Sequence, residues 1–185
     1  MAQYNFDANK LAELIIFFAH ESNDDRFFGS TKLNKLLLLS DFKAFGYLGE
    51  PVTGADYVHQ KFGPTPAPRQ LLPILEHLVN NDRLRIDEAQ TYKGLRRRPV
   101  ALSEPDLSVF SEAELQICQD TLNALRHMSN EECSEWSHDF LGWLSTKEGE
   151  IIPYETAFIW EKRSVTKDTM DWAIRKAINL DLQPY

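Results

Sequence analysis

The sequence predicts a mainly α-helical single domain, a helical bundle that carries one small β-hairpin. Apolar residues recur at helical spacing, capping residues precede those stretches, and one segment near the middle has strand-like character. A chain of 185 residues is long enough for one well-buried core and too short for two large independent domains. We therefore expect one domain over residues 1–160, with the helices and hairpin in 1–104 and a helical part in 105–160. A C-terminal helix within residues 161–185 is expected to pack on the same core.

The centre of the fold is predicted to be the helix that begins near Thr31. Residues 36–39 are all leucine. They put apolar surface on nearly every side of one helix, because successive helical residues turn by about 100°. Such a helix lies inside a bundle. Residues 7–22 predict a preceding helix with an apolar stripe, and Gly46 or Gly49 is expected to end the central helix, so the two helices can form a hairpin.

A rigid corner is predicted after the central helix. The alternating pattern of residues 57–62 stops at a turn that contains Gly63 and Pro64. A third helix is predicted to start near Pro68. Because Pro73 cannot donate a backbone hydrogen bond, it must lie in the first turn of that helix or kink it.

Residues 84–87 and 95–102 predict the two strands of a β-hairpin, separated by a polar stretch that contains Gly94. Pro99 limits the second strand to the edge of a sheet. Three helices followed by a hairpin are the element order of a winged helix. We therefore expect a winged-helix-like N-terminal part.

The second half of the chain predicts further helices. Ser111 and Ser129 each precede a glutamate by three positions, which is the capping-box pattern, and the second of these helices is expected to continue to Gly149. Pro153 is well placed to open a helical turn. A last helix is predicted over about residues 166–180, with an apolar stripe of Met170, Ala173, Ile174 and Ala177.

The composition limits the classes of partner. The formal net charge of −8 and the pI near 5.1 repel a phosphate backbone over most of the surface, so no general affinity for DNA or membranes is expected. No apolar run approaches the roughly 18 residues of a spanning helix. Cys118 and Cys133 lack metal-like spacing, and the start at Met1 lacks the features of a signal peptide. We expect a reduced, cytoplasmic protein.

No residue pattern in the sequence predicts catalysis, a metal site or a cofactor. The five histidines are not at ligand spacing from each other or from the cysteines. Cys133 and His138 are five positions apart on one predicted helix, hence on different faces. The chain has no Gly-rich phosphate loop and no nucleophile elbow. We therefore expect no enzyme, and an enzyme of unrecognised type with His138 as its acid or base is kept as a third hypothesis.

Arg96, Arg97 and Arg98 form the centre of the one basic concentration in the sequence. On a hairpin they could contact phosphates, which keeps a winged-helix-like DNA-binding transcriptional regulator as the alternative function. The net charge of −8 favours another interpretation, a solvated wing or a patch that pairs with an acidic protein surface.

Two features of the predicted helices leave alternatives open. If Asp41 is buried, it needs a cation or several hydrogen-bond donors, and we expect Lys61 or Arg69 as the partner; an exposed Asp at a helix end is the alternative. Trp136 and Trp143 are seven positions apart, hence on one helical face. We expect them in the core rather than in a binding stripe.

The order of several short motifs resembles a known family. The run over residues 32–42, followed about twenty residues later by Phe62, Gly63 and Pro64, resembles the signature of the Panacea (SocA-like) antitoxin domain, also labelled phage-associated protein. Residues 136–138, then Trp143, then residues 152–154 are similar to the Ser-His, Trp and Ile-Pro-Tyr elements of that family. The resemblance covers roughly residues 11–158. Phe62 stands where the family commonly has Tyr, and Thr65 where Val is usual.

The resemblance implies a mostly helical domain that neutralises a partner toxin by direct binding in a toxin–antitoxin system, with the toxin encoded by a neighbouring gene. It also implies a second mode, in which the protein is an adaptor that hands the toxin to an ATP-dependent protease. A structural corner that only holds the binding surface in place would leave the same sequence pattern. The motif residues that we take as candidates for partner binding are Lys32, Asn34, Asp41, Phe62, Gly63, Pro64, His138, Trp143, Pro153 and Tyr154.

Overall fold

The computed structural model describes residues 4–91 and 94–159. The helix predicted over residues 166–180, and with it the whole of segment 161–185, lies outside the described residues. The described elements, in chain order, are α1 (Ala8–Glu21), α2 (Ser30–Leu48), β1 (Tyr57–Val58), β2 (Thr65–Pro66), α3 (Pro68–Asn80), β3 (Leu84–Thr91), β4 (Gly94–Ala101), a 3-10 turn (Leu107–Val109), α4 (Glu112–Leu125), α5 (Asn130–His138), α6 (Leu141–Leu144) and a second 3-10 turn (Tyr154–Ile159).

Elements from both halves of the chain pack on α2, which confirms the predicted central helix. The leucines at 36–39 are at most 3% exposed. Elements α1, α4, α5 and the 3-10 turn Tyr154–Ile159 all contact α2. The helix ends at Gly49, whose φ of 85° is left-handed and therefore favours glycine.

One hydrophobic core spans both halves of the chain. The ring of Phe42 on α2 lies 5.5 Å from that of Tyr57, 5.2 Å from that of Phe140 and 4.7 Å from that of Tyr154, measured between ring centroids. The backbone N–H of Ile152 donates to the carbonyl of Tyr57 at 2.8 Å. These contacts attach residues 140–154 to α2 and to β1.

Two small antiparallel sheets occur in the described residues. Strands β1 and β2 pair Tyr57 with Pro66, and β3 and β4 pair over eight positions from Leu84↔Ala101 to Thr91↔Gly94. The predicted hairpin is therefore confirmed, with a longer first strand than expected. The alternation over residues 57–62 gives a strand of two residues, because the chain turns at Gly63. The mainly α fold class is confirmed, whereas the sequence predicted one small hairpin and the described residues form two small antiparallel sheets.

The second capping-box helix is shorter than the sequence predicts. Helix α5 ends at His138, and Phe140 adopts an extended conformation (φ −68°, ψ 118°) before the short α6. Phe140 is 1% exposed and packs on Phe42. Burial of the Phe140 ring offsets the free-energy cost of breaking the helix, since burying a Phe side chain contributes about 1.5–3 kcal/mol to stability. The predicted continuation to Gly149 is therefore wrong, and Trp136 and Trp143 lie on different helices.

Within residues 4–91 and 94–159, no helix combines the length and the apolar character that crossing a membrane would require.

Candidate functional site

Lys35 on α2 is buried beneath the corner that follows β1. Lys35 is 1% exposed. Its Nζ donates hydrogen bonds to the carbonyl oxygens of Phe62 at 3.1 Å and Pro64 at 3.0 Å. No carboxylate in the described part of the chain forms an ion pair with it. Burial lowers the pKa of Lys35 to about 7. The corner is thus fixed to the central helix by the Lys35 amine, which has no carboxylate partner among residues 4–91 and 94–159.

Gly63 lets the corner approach Lys35 closely. Its φ is 93°, and a Cβ at this position would lie 2.5 Å from Lys35 Nζ and 2.4 Å from Ser137 Oγ. The conformation therefore favours glycine, and a Cβ here would displace the side chains of Lys35 and Ser137. Helix α2, the corner and α5 therefore meet at this point.

Phe62 points outward from the corner. It is 70% exposed, and Lys61 Nζ lies 5.6 Å from its ring centroid. A cleft of about 370 Å³ lies between Phe62, the start of α2 and the start of α3. We call its lining the corner surface: Thr31, Asn34, Lys35, Gln60, Phe62, Thr65 and Pro68.

Several polar side chains of the corner surface have no hydrogen-bond partner among the described residues. These are the hydroxyls of Thr31 and Thr65 and the amides of Asn34 and Gln60. Hydroxyl and amide groups can both donate and accept hydrogen bonds. An exposed aromatic ring beside such groups is suited to binding another protein.

A stacked aromatic triplet holds the chain just before the corner. The Trp143 indole lies between the rings of His59 and His138, with centroid distances of 4.4 Å on each side. Its Nε1 donates to the carbonyl oxygen of Gln60 at 3.0 Å. His138 Nε2 is buried and has no polar partner among the described residues. Trp143 and His138 thus support the corner from beneath and lie outside the lining of the cleft.

Asp41 is fully buried and bound by neutral donors. It accepts hydrogen bonds from Thr53 N at 2.6 Å, from Thr53 Oγ1 at 2.5 Å and from the Tyr57 hydroxyl at 2.8 Å. Burial raises the pKa of Asp41 to about 6, and these donors oppose that effect. The expected partners Lys61 and Arg69 are wrong: Arg69 pairs with Asp56, and Lys61 lies beside Phe62.

Tyr154 shares this interior with Asp41. Its hydroxyl donates to the carbonyl oxygen of Ala55 at 2.6 Å, and burial raises its pKa well above 10. The neighbouring Pro153 is exposed. Asp41 and Tyr154 therefore fix the loop before β1 from inside the protein, away from the corner surface.

Lys32 lies one helical turn before Lys35 and has a different environment. It is 1% exposed, and its Nζ donates to Asp25 Oδ2 at 2.7 Å and to the carbonyl oxygen of Arg126 at 3.3 Å. It joins the start of α2 to the end of α4. Among the ten motif candidates, the structure thus places four at the corner: Asn34, Phe62, Gly63 and Pro64.

The arginine run on β4 is divided between two faces. Arg96 donates to the carbonyl oxygens of Arg26 and Phe28, and Arg98 donates to three carbonyl oxygens in residues 22–25. These two side chains tie the hairpin to the loop before α2. Arg97 points the other way, is exposed and pairs with Glu88 at 2.9 Å.

The described residues contain no group of three or more His, Cys, Asp and Glu side chains that could hold a metal ion. Cys118 and Cys133 are free and buried. Burial raises the pKa of Cys118 to about 12 and that of Cys133 to about 11, which leaves both thiols protonated and unreactive near neutral pH.

Sequence reasoning missed Lys35 and Ser137 as parts of the site. The signal for Lys35 was present, because a lysine within a helix that is apolar on nearly every side must find acceptors inside the fold. Ser137 belongs to the Ser-His element of the resemblance, but its approach to Gly63 was not predictable, because Gly63 comes from a distant part of the chain.

Comparison with known proteins agrees with the motif order. The family model described as antitoxin SocA-like, Panacea domain, matches residues 33–144, more than half of the chain. Comparison with curated proteins and with solved structures gives no match. The matched range contains Lys35, the Phe62 corner and Ser137, which the fold brings into contact. The chain therefore belongs to the antitoxin SocA-like, Panacea domain family.

Proposed function

We propose that this protein is an antitoxin that neutralises a partner toxin by direct binding, and that the corner surface is where the toxin binds. The observation that carries the proposal is the exposed Phe62 on a corner held by the buried Lys35. The toxin is expected to be encoded by a neighbouring gene.

The free-energy cost of burying Lys35 supports a functional role for the corner. A pKa lowered from 10.5 to about 7 corresponds to about 5 kcal/mol against the charged form, at 1.36 kcal/mol per pKa unit. An apolar side chain would avoid this cost but could not donate to the carbonyls of Phe62 and Pro64. The free-energy cost of a buried lysine is therefore an argument that the function depends on the position of the corner.

The rigid corner also lowers the cost of binding. Exposed aromatic residues dominate many protein interfaces, and a backbone that is held in place by hydrogen bonds loses less conformational entropy on association. The unpaired polar groups around Phe62 would supply hydrogen bonds at the edge of the contact. The net charge of −8 favours association with a basic partner.

Co-expression of the protein with the product of a neighbouring gene tests the proposal. The wild type should restore growth in the presence of the toxin and should copurify with it. Phe62→Ala should lose both effects. Phe158→Ala is the matched control, because Phe158 is 64% exposed and lies outside the corner surface. Absence of a complex with any neighbouring gene product would count heavily against the proposal.

We propose the adaptor role as an additional mode of the same complex. In that mode an ATP-dependent protease degrades the bound toxin. The half-life of the toxin in cells should then shorten when the wild type is present and stay unchanged with Phe62→Ala.

The alternative is a winged-helix-like DNA-binding regulator, favoured by the order of α1, α2, α3 and the β3–β4 hairpin. Arg96 and Arg98 bind backbone carbonyls of the protein itself, so Arg97 is the one of these three described arginines that is left to contact phosphates. A mobility shift on the promoter of its own gene, weakened by Arg97→Ala and by salt, would favour this alternative.

We further propose that the protein has no enzymatic activity and acts in the cytoplasm. His138 stacks flat on Trp143 rather than facing the cleft, which does not favour an acid or base role. The shared core supports treating residues 1–160 as one domain, with its parts 1–104 and 105–160 folding together.

A further inference from the structure

The cleft beside Phe62 has the polar groups of an anion-binding site. Its volume is about 370 Å³, and the polar side chains of its lining are those of Thr31, Asn34, Lys35, Gln60 and Thr65. No Asp or Glu of the described residues belongs to that lining. Hydroxyl and amide groups can donate hydrogen bonds, and a charged lysine amine only donates them. A ligand that accepts hydrogen bonds and carries negative charge therefore matches all five side chains.

The Lys35 amine has capacity for a further acceptor. A charged lysine amine has three N–H groups, and the described contacts of Lys35 Nζ are two carbonyl oxygens, those of Phe62 and Pro64. Hydrogen bonds between a cation and an anion are stronger than those to neutral groups. Burial lowers the pKa of Lys35 to about 7. An anion bound in the cleft would oppose this effect and stabilise the charged amine.

The start of α2 adds positive potential beside the cleft. Thr31 lies in the first turn of this 19-residue helix and lines the cleft. The N-cap residue Gly29 provides no side chain to accept hydrogen bonds from the N–H groups of that turn. The N-terminal end of a helix carries a partial positive charge that attracts anions. The helix end therefore acts in the same direction as Lys35.

The charge of the lining favours a carboxylate over a phosphate. Lys35 is the one charged residue among the described residues that line the cleft. A single cation matches the single negative charge of a carboxylate, whereas phosphate groups carry a charge between about −1.5 and −2 near neutral pH. Proteins present carboxylates on Asp and Glu side chains and at the chain end.

We propose that the cleft beside Phe62 binds a carboxylate group of the partner protein, with Lys35 as its cation and the hydroxyl and amide groups of the lining as further donors. The exposed Phe62 and Pro68 contact the carbon atoms next to that carboxylate. The identity of the partner rests on the proposed function, whereas the site itself rests on the groups that line the cleft. One bound carboxylate is compatible with a basic partner, since the net charge of −8 acts over the whole surface.

Titration of the full-length protein with sodium acetate tests the site in the absence of the toxin. Acetate replaces sodium chloride at constant ionic strength near pH 7, and two-dimensional NMR follows the backbone amide signals of Thr31, Asn34 and Thr65. These signals should shift and saturate as acetate is added. Acetamide has nearly the same shape without the charge, and it should bind at least about tenfold more weakly.

Three variants locate the site. Lys35→Met should weaken acetate binding about tenfold or more, because it removes the cation. Thr31→Val keeps the side-chain shape, removes one hydroxyl and should weaken binding about threefold, which also serves as the test if Lys35→Met does not fold. Lys61→Met is the matched control, since Lys61 is an exposed lysine of the corner outside the lining. This control should change the affinity by less than about twofold.

Two further probes distinguish the sources of the carboxylate. N-acetylglycine represents the end of a chain, and the α-amide of N-acetylaspartic acid represents an aspartate side chain within a chain. At least one of them should bind more tightly than acetate, because Phe62 and Pro68 contact its additional atoms. The tighter of the two identifies the source.

Several results would overturn the carboxylate site. These are the absence of saturable shifts with acetate, equal affinities for acetate and acetamide, tighter binding of inorganic phosphate than of acetate, and weaker binding of both larger probes than of acetate. Equal weakening by Lys61→Met and Lys35→Met would also overturn it. Because these titrations contain no toxin, such a failure is distinct from a failure of the proposed function, which the copurification of the toxin with the wild type and Phe62→Ala decides.

Discussion

The stability of the protein should depend on pH through Lys35. Its pKa is lowered from 10.5 to about 7 in the folded protein. Between these values the unfolded chain binds more protons than the folded one, so the free energy of unfolding rises with pH. From pH 7 to pH 9 this contribution amounts to about 2 kcal/mol, at 1.36 kcal/mol per pKa unit.

Lys35→Met isolates this contribution. Methionine fills a similar volume without a charge, although it leaves the carbonyls of Phe62 and Pro64 without their donor. Denaturant unfolding of the wild type and the variant at pH 7, 8 and 9 gives two stability curves, and other titrating groups cancel in their difference. The wild type should gain about 2 kcal/mol relative to the variant over this range. Curves that stay parallel would refute the interpretation of Lys35 as a buried lysine without a neutralising partner.

Three further substitutions test other parts of the fold. Gly63→Ala should destabilise the protein by about 1–3 kcal/mol in denaturant unfolding, because its φ of 93° is strained for alanine and its Cβ would approach Lys35 and Ser137; a loss below 0.5 kcal/mol would contradict the close approach. Asp41→Ala should cost about 2–5 kcal/mol, since the buried donors of Thr53 and Tyr57 lose their acceptor; an unchanged midpoint would be inconsistent with that network. Arg98→Ala should lower the free energy of unfolding by about 1–3 kcal/mol, because Arg98 donates to three backbone carbonyls. Arg97→Ala should lower it by less than about 0.5 kcal/mol, because Arg97 forms an exposed ion pair. Equal losses for the two variants would refute this division.

Local features of the fold were predictable from the sequence. The leucines at 36–39 predicted the buried helix, and Ser111 predicted the start of α4 through a capping box that the structure contains. Such signals are local, since a cap or an apolar stripe is formed by residues within one or two turns. The start of α3 at Pro68 was also predictable for this reason.

Features that depend on distant contacts were not predictable. The break before Phe140 arises from burial of its ring against Phe42, about a hundred positions away. A buried Asp41 was expected to need a cation or several donors, and the structure shows several donors from Thr53 and Tyr57, while the named cations Lys61 and Arg69 were wrong. Periodicity carries no information on which donor a fold brings to a buried carboxylate.

The corner combines both kinds of feature. The Gly-Pro turn was predicted, and its position over Lys35 and Ser137 was not. That position depends on how α2 and α5 pack. The exposure of Phe62 follows from the same packing.

The dissociation constant of the complex with the neighbouring toxin tests the central claim most directly. Isothermal titration calorimetry should compare the wild type, Phe62→Ala and the control Phe158→Ala. Removing a central aromatic residue from an interface typically costs about 2–4 kcal/mol, so Phe62→Ala should weaken binding about 30-fold or more. Phe158→Ala should bind like the wild type. Equal affinity of the wild type and Phe62→Ala would contradict the corner surface as the toxin-binding site.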